Sequence, residues 1–399
     1  MIKKSSKLFL KLSLYLIGHL ILQGLKNPKK LFLNISKCTT LLKEKGIKPT
    51  YEYIYLTYFP KNYLLKTKIQ IQEPSLSIHK KLFTIFGKSS YDMGFKNSDG
   101  MTSKQNILVI RSGAMGDVLL ATPIIRKLFK DRKGFCSIDI ATRNKDIFKN
   151  SPYVNNVIHP KELRDLKTSY ELILNLDLAQ EKNKNVHITD AYHFMAFGPN
   201  ELDKNLSNNQ PELFSSENEV RRIEDWVKKF PNGYIVCHNR VDESQPYRNV
   251  PLPEWNKLLF KILGESKLPI IQVGSKNMDV AIHGQDELID CRDEYTLQEL
   301  KEVIQRAKLF LGTDAGPLHV AACTNTPIVS FFTIAHHEFR KPLRTNSVFH
   351  PITPNIDCYG CVKDYPLVWG FDCVRKDNAC VNKFNIDEAA KKALEILAI

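Results

Sequence analysis

From Asn106 onward the apolar residues fall into two alternating kinds of run. Ile107–Ile110 is short and continuous, the pattern of a buried strand, and Val118 to Lys130 after it carries apolar residues at helical spacing. Ser137–Ala141 and Leu172–Leu176 are further strand candidates, with helical or loop material between them. Strand–helix alternation implies a parallel sheet with helices on both faces. Asn200–Ser216 is polar and predicts a crossing loop, after which the alternation restarts. Glu217–Phe230 reads as a helix, Tyr234–His238 as a strand, Pro253–Gly264 as a helix and Pro269–Val273 as a strand. Thr296–Arg306 follows as a helix capped by Thr296. Leu309–Leu311 is a short strand, Gly316–Cys323 a helix, Pro327–Phe331 a strand and Ile386–Leu397 an amphipathic terminal helix. The expected architecture is two similar α/β units with a crevice between them, where ligands meet the carboxyl ends of strands.

Upstream the pattern is weaker. Residues 31–100 give only an aromatic β-rich stretch at Tyr51–Phe59 and an alternating one at Lys66–Gln72, and 88–106 is a polar Gly- and Ser-containing linker. The basic charge of the protein is concentrated here. Of the formal net charge of +14, all lies in residues 1–105, which hold 19 Lys, no Arg and 5 acidic residues. Leu8 to Leu25 is mostly apolar, broken by Lys11, Ser13, His19 and Gln23 and flanked by lysines. A mid-run lysine is costly in a spanning helix, and no small-residue cleavage site follows. Two readings fit: a helix lying on an anionic membrane surface, or a helix packed on the protein's own core with its lysines solvated. Nucleic acid is disfavoured, because arginine is absent from the extension.

Two glycine-bearing loops carry the candidate chemistry: Ile-Arg-Ser-Gly-Ala-Met-Gly-Asp at 110–117 and Gly-Thr-Asp-Ala-Gly-Pro-Leu-His at 312–319. Each follows a strand-like run and opens a helix-like segment, so each aims backbone N–H groups at an anion. Gly113, Gly116 and Gly316 remove Cβ atoms where backbone turns tightly or approaches a ligand. Asp117 is either a helix-terminal cap or a general base facing the crevice. Pro317 suits a first helical turn, and His319 is either a ligand-facing group or a satisfied buried histidine that orients the loop. Between the loops, the candidate strand ending at His238 leads into Arg240 and then Arg248. Arginine offers a planar fork suited to phosphate oxygens, the bland alternative being solvated loop side chains. Two such loops in separate halves suggest a phosphate-bearing ligand clamped between two domains.

Of nine cysteines, Cys38, Cys136, Cys237, Cys291 and Cys323 are scattered, as small core residues of a reducing compartment. Cys358, Cys361, Cys373 and Cys380 cluster, the first two as a Cys-x-x-Cys pair. A structural zinc site with all four cysteines as ligands is the leading reading, with iron as a second metal and reduced thiols or disulfides as the metal-free alternative.

The strand plus Ser-Gly-Ala-Met-Gly-Asp-Val-Leu-Leu-Ala-Thr-Pro, and later Gly-Thr-Asp-Ala-Gly-Pro-Leu-His-Val-Ala-Ala with Thr326-Pro327-Ile328-Val329 after it, resemble the family 9 glycosyltransferases, the ADP-heptose:lipopolysaccharide heptosyltransferases and their relatives. The resemblance covers roughly 106–399. It implies a GT-B architecture: a Rossmann-like acceptor domain at 106–205, and a Rossmann-like nucleotide-sugar donor domain at 206–399 that includes the cysteine cluster. It also implies inverting sugar transfer in which no cofactor is required for the chemistry. Asp117 matches the family's catalytic base. Gly113, Met115, Gly116, Arg240, Arg248, Asp314, Ala315, Gly316, Pro317 and His319 fall to donor binding. Trp255 follows Arg248 at the spacing seen in relatives. The sequence departs from the pattern at Ala315, where relatives often carry Ser or Thr, and in the long 239–247 loop, which leaves another nucleotide-sugar donor as an alternative to ADP-heptose. The implied partners are a nucleotide sugar and a lipid-linked glycan such as lipopolysaccharide core, at the inner face of a cytoplasmic membrane. A nicotinamide-dependent oxidoreductase would want Gly-x-Gly-x-x-Gly, and 113–116 supplies only Gly-x-x-Gly. A degenerate scaffold would be expected to lose Asp117 or the Asp314 loop, and both are present.

Overall fold

The computed structural model describes residues 104–399 except 165–169, 178, 180–182, 184–185, 199–205, 240–245, 278–281, 283–285, 346, 362–372, 374, 376 and 399. The expected membrane-surface helix at 8–25, the basic extension and nearly all of the linker therefore lie outside the described residues. The first strand, β1 (Gln105–Ile110), leads through Gly113 into two helices, α1 (Met115–Leu119) and α2 (Thr122–Asp131). The spacing predicts one helix over Val118–Lys130, and Pro123 divides it. Proline has no N–H to offer the Leu119 carbonyl, and the Thr122 hydroxyl donates to that oxygen instead at 2.7 Å. Next come β2 (Cys136–Ala141), β3 (Asn156–Ile158), β4 (Leu172–Asn175) and α3 (Ile188–Phe197). The sheet is wholly parallel, in the order β3-β2-β1-β4. Helix α3 is apolar on most of its faces and largely buried, so it lacks the one-sided stripe by which a helix is read from sequence.

The second lobe repeats the plan. Ser216 and Glu219 form a reciprocal capping box that opens α4 (Glu217–Val227). Strand β5 (Ile235–Cys237), α5 (Leu252–Ser266), β6 (Ile270–Gln272) and β7 (Leu288–Asp290) follow. A second capping box, Thr296 with Glu299, opens α6 (Leu297–Gln305). The chain then runs through β8 (Leu309–Thr313), α7 (Gly316–Ala322), β9 (Ile328–Phe331), β10 (Phe349–Ile352) and α8 (Ile386–Leu397). All six strands are parallel, in the order β10-β9-β8-β5-β6-β7. Helices α5 and α8 share one apolar cluster on this sheet, with Trp255, Leu258 and Ile262 against Ala389 and Ala393.

In each sheet the strand order reverses beside the lobe's first strand, between β1 and β4 and between β5 and β8. Those two switch points are where loops diverge and leave a crevice at the strands' carboxyl ends. The lobes are in contact: one buried cluster includes Val118 and Leu119 of the first and Phe310, Leu318 and Val320 of the second.

Candidate functional site at the two switch points

At the first switch point the residue after β1 is Arg111, and its guanidinium is taken up on three sides. Nη2 lies 3.1 Å from Asp117 Oδ2, Nη1 donates to Asp177 Oδ1 at 2.9 Å, and Nε donates to the Tyr192 hydroxyl at 2.7 Å. Tyr192, on α3, in turn donates to the Asp117 carbonyl at 3.2 Å. Asp177, just past β4, also accepts from the Ser112 N–H at 2.7 Å and the Ser112 hydroxyl at 2.6 Å. The glycine at 113 has a local cause, because a Cβ there would stand 2.8 Å from the Arg111 guanidinium. Asp117 lies in the first turn of α1, where it also accepts the Ala114 backbone N–H. Burial alone would raise its pKa, but Arg111, Arg340 and His319 overcome that and hold the carboxyl below its usual 3.8.

The second switch point carries a similar pair. Arg248 ends the 3-10 turn Pro246–Arg248 after β5, and its Nη2 donates to both the backbone carbonyl and the carboxylate of Asp314, the latter at 3.2 Å. Asp314 follows β8 and is 6% exposed. Burial raises its pKa too, and Arg248, Arg340 and His319 bring it below 3.8. Ala315 is the N-cap of α7 and makes no side-chain cap bond, and Pro317 falls in the first turn as its missing N–H permits.

The two loops touch. A Cβ on Gly116 would collide with the His319 imidazole, and one on Gly316 would collide with the Met115 methyl. His319 is 2% exposed, with Nε2 3.9 Å from Asp314 Oδ1. Burial depresses its pKa to about 4, so the ring is neutral at neutral pH. The two glycines thus serve the fit between lobes, a reason beyond the phosphate approach that motivated them. Arg340, which the sequence reading missed, is buried beside this junction and acts electrostatically on Asp117, Asp314 and His319. The loop that carries it is fastened to the first lobe. His187, the N-cap of α3, accepts the Thr189 N–H at Nδ1 and donates from Nε2 to the Lys341 carbonyl at 3.0 Å.

The structure therefore brings together Gly113, Met115, Gly116, Asp117, Arg248, Asp314, Ala315, Gly316, Pro317 and His319. Arg240 lies outside the described residues. Trp255 is a core residue, edge-on to Phe331 at 5.0 Å and wholly buried. Arg111, Asp177, Tyr192, His187 and Arg340 were not predicted. The usable signal for Arg111 and Asp177 was position, since each is a charged residue at the carboxyl end of a candidate strand.

The loop between Cys361 and Cys373, residues 362–372, lies outside the described residues. Among the described residues no group of three or more His, Cys, Asp and Glu side chains is placed to hold a metal ion, and Cys358, Cys361, Cys373 and Cys380 form no disulfide. They are neighbours nonetheless: burial, then the fields of Cys361, Cys373 and Cys358, push the Cys380 thiol up to about 12. Two side chains of this region brace the site. The Cys380 thiol lies 4.0 Å from the Tyr247 carbonyl, next to Arg248. Tyr359, inside the Cys-x-x-Cys loop, accepts the His337 N–H at 2.9 Å, three residues before Arg340.

Two facing lobes of this kind, with parallel sheets and loops meeting at their switch points, make the GT-B fold of nucleotide-sugar glycosyltransferases. The solved structure of a glycosyltransferase family 9 protein from Veillonella parvula superposes with a TM-score of 0.60 at 15% identity, over 75% of this chain and 98% of that one. Escherichia coli ADP-heptose lps heptosyltransferase II gives 0.53 at 16% identity, over 72% and 99% of the two chains. Residues 166–364 match the sequence model of glycosyltransferase family 9 (heptosyltransferase). That matched stretch includes the Asp314 loop, and the chain is similar to the family there, as the second motif suggested. A 53-residue segment is 42% identical to lipopolysaccharide heptosyltransferase 3 of Escherichia coli, covering 13% of this chain and 16% of that relative.

Proposed function

We propose that this chain is an inverting glycosyltransferase that moves a sugar, heptose from ADP-heptose, onto a hydroxyl of a lipid-linked glycan such as lipopolysaccharide core. The observation that carries the reading is the meeting of the Asp117 and Asp314 loops, each at its own lobe's switch point. The acceptor hydroxyl oxygen bonds to the anomeric carbon while its proton passes to an Asp117 oxygen. The bond from that carbon to the diphosphate breaks on the opposite face, and its electron pair leaves with the phosphate. Arg248, Arg240 and the N–H groups around Gly316 stabilise the developing charge, the larger part of such catalysis in general. Gly113, Met115, Gly116, Ala315, Pro317 and His319 shape the donor's surroundings. This chemistry draws on protein groups alone. Zinc or iron held by the four clustered cysteines is a separate structural proposal, for which the thiols would have to converge. Metal analysis of protein purified without chelator checks it.

Among the described residues no helix is long and apolar enough to cross a membrane. The lysine-rich residues 1–105 support a peripheral position at the inner face of the cytoplasmic membrane, where a lipid-linked acceptor is within reach. The test is a donor panel, with ADP-heptose against other nucleotide sugars, scored by binding and turnover. ADP-heptose turnover that Asp117→Ala abolishes, with donor affinity kept, supports the reading. A full-activity Asp117→Ala enzyme removes the base assignment. Binding of another nucleotide sugar in preference moves the substrate to that donor, and binding without turnover of any donor favours a scaffold.

A further inference from the structure

We propose that Asp177 is a positioning residue for the Asp117 carboxylate, acting through Arg111. The inference rests on the proposed transferase reading and deepens it. Asp177 is itself firmly placed: Oδ1 accepts from Arg111 Nη1 at 2.9 Å and Ser112 N–H at 2.7 Å, Oδ2 from the Ser112 hydroxyl at 2.6 Å, and its own N–H donates to Asn175 Oδ1 at 2.9 Å. It thereby fixes one edge of the guanidinium while Tyr192 holds Nε, leaving Nη2 aimed at Asp117. The Arg111 side chain is 10% exposed, so its charge is nearly desolvated.

That burial sets the physical problem. A base that accepts a proton loses its charge, and if Asp117 were the sole counterion, proton uptake would strand a buried arginine. Asp177 keeps the guanidinium neutralised through the step. It also tempers the pull of Arg111 on Asp117, keeping that carboxylate basic enough to take the proton. The other groups that face Asp117 are His319 on α7, Arg340 after the His337–Phe339 turn, the Tyr192 hydroxyl on α3 and the Ala114 N–H. Of these only Tyr192 also contacts Arg111, and its neutral hydroxyl brings no counter-charge, which Asp177 does.

The experiment is the pH profile of kcat/KM for donor turnover. Wild-type turnover is measured first; its absence defeats the transferase reading, and its presence lets the variants test the network alone. Removing the negative charge with Asp177→Asn should lower kcat, leave donor KM within about twofold, and move the acid limb down by about one pH unit. Arg111→Gln should move it up by a similar amount, and Arg111→Lys should restore it. Opposite displacements of one limb are not produced by a loss of packing. If the asparagine variant does not fold, Asp177→Ser makes the same charge change with a smaller side chain that still accepts from Ser112. Carboxyl-carbon NMR titration of Asp117 reads the same displacements without catalysis. The proposal is overturned if the limb stays fixed in both variants, if both move it the same way, or if Asp177→Asn raises donor KM as much as it lowers kcat.

Discussion

Each lobe sets an arginine against an aspartate across its switch point, Arg111 with Asp177 in the first and Arg248 with Asp314 in the second, yet the two pairs are wired differently. Arg111 spends a different nitrogen on each of three side chains, and one of them is Asp117. Arg248 meets Asp314 through one nitrogen that serves both carbonyl and carboxylate. The first arrangement holds a carboxylate in place. The second holds a loop in place and presents a guanidinium where the other lobe's loop arrives. Similar residues at equivalent topological positions thus prepare the two halves of one proposed transfer, the base on one side and the leaving group on the other.

The sharpest way to break this comparison is to disable each half separately. Asp117→Ala should cost about 10²–10⁴-fold in kcat, the usual scale of general-base help, with donor affinity nearly intact. Arg248→Gln should instead weaken donor binding by about 10- to 100-fold, the scale of one or two charge-assisted hydrogen bonds. Calorimetric titration of the donor beside steady-state kinetics separates the two. If Asp117→Ala loses donor affinity and Arg248→Gln does not, the assignment of the lobes is reversed.

The pH dependence of stability sets buried histidines against buried carboxylates. The pKa of His319 is lowered to about 4 and that of His187 to about 3, from an ordinary 6.5, mainly by burial. An unfolding chain takes up protons on both as pH falls below 6.5, whereas the folded chain does so only near those depressed values. Within that window stability falls with falling pH, by up to about 3 kcal/mol per histidine. Asp117 and Asp314 act at lower pH: their stabilising contribution is present above 3.8 and is lost as pH falls through their depressed values. Thermal melts across pH 7 to 4 should therefore drop before any carboxylate titrates, and His187→Gln should flatten the drop. An unchanged slope in that variant would mean the Lys341 carbonyl contact leaves His187 free to titrate normally.

Much of the fold was legible because parallel strands buried on both faces read as unbroken apolar runs such as Ile107–Ile110 and Leu309–Leu311. The short edge strands β3, β7 and β10 were not, since most of their residues are exposed or only partly buried and the apolar signal is weak. The two loops stood out because glycine, aspartate and proline recur there at turn spacing. Their partners did not: Arg248 and Asp314 are 66 residues apart, as are Arg111 and Asp177. Only the strand order that brings them together reveals the pairing. Arg340 belongs to no motif, and its place follows from the anchoring of its loop by His187 and Tyr359.

The glycines at the junction give a smaller, asymmetric test. Gly116→Ala drives a methyl into a buried imidazole held near Asp314, and should cost about 1–3 kcal/mol as overpacking does. Gly316→Ala meets only the terminal methyl of Met115, an adaptable side chain, and should cost less. Denaturant melts of both variants decide the order, and a larger loss at Gly316 would show that its backbone, not the loop contact, sets the requirement.

The smallest effect sharpens the comparison most finely, because both helices that open the site begin on an uncapped alanine. Ala114 starts α1 and Ala315 starts α7, and neither supplies a side-chain cap. Serine at either position should add about 0.5–1 kcal/mol by accepting a first-turn N–H. The consequences for the donor should differ. Asp117 already accepts the Ala114 N–H, so Ala114→Ser completes a local cap within the turn of Asp117, the proposed base, and should leave donor affinity unchanged. Ala315→Ser puts a hydroxyl beside Asp314 and Gly316, on the lobe proposed to hold the diphosphate, and should tighten donor binding as well as stabilise. If both serines raise the melting temperature and neither alters donor affinity, the alanine at 315 is a matter of helix stability alone, and the donor is held by Arg248 and the loop backbone without a side-chain hydroxyl.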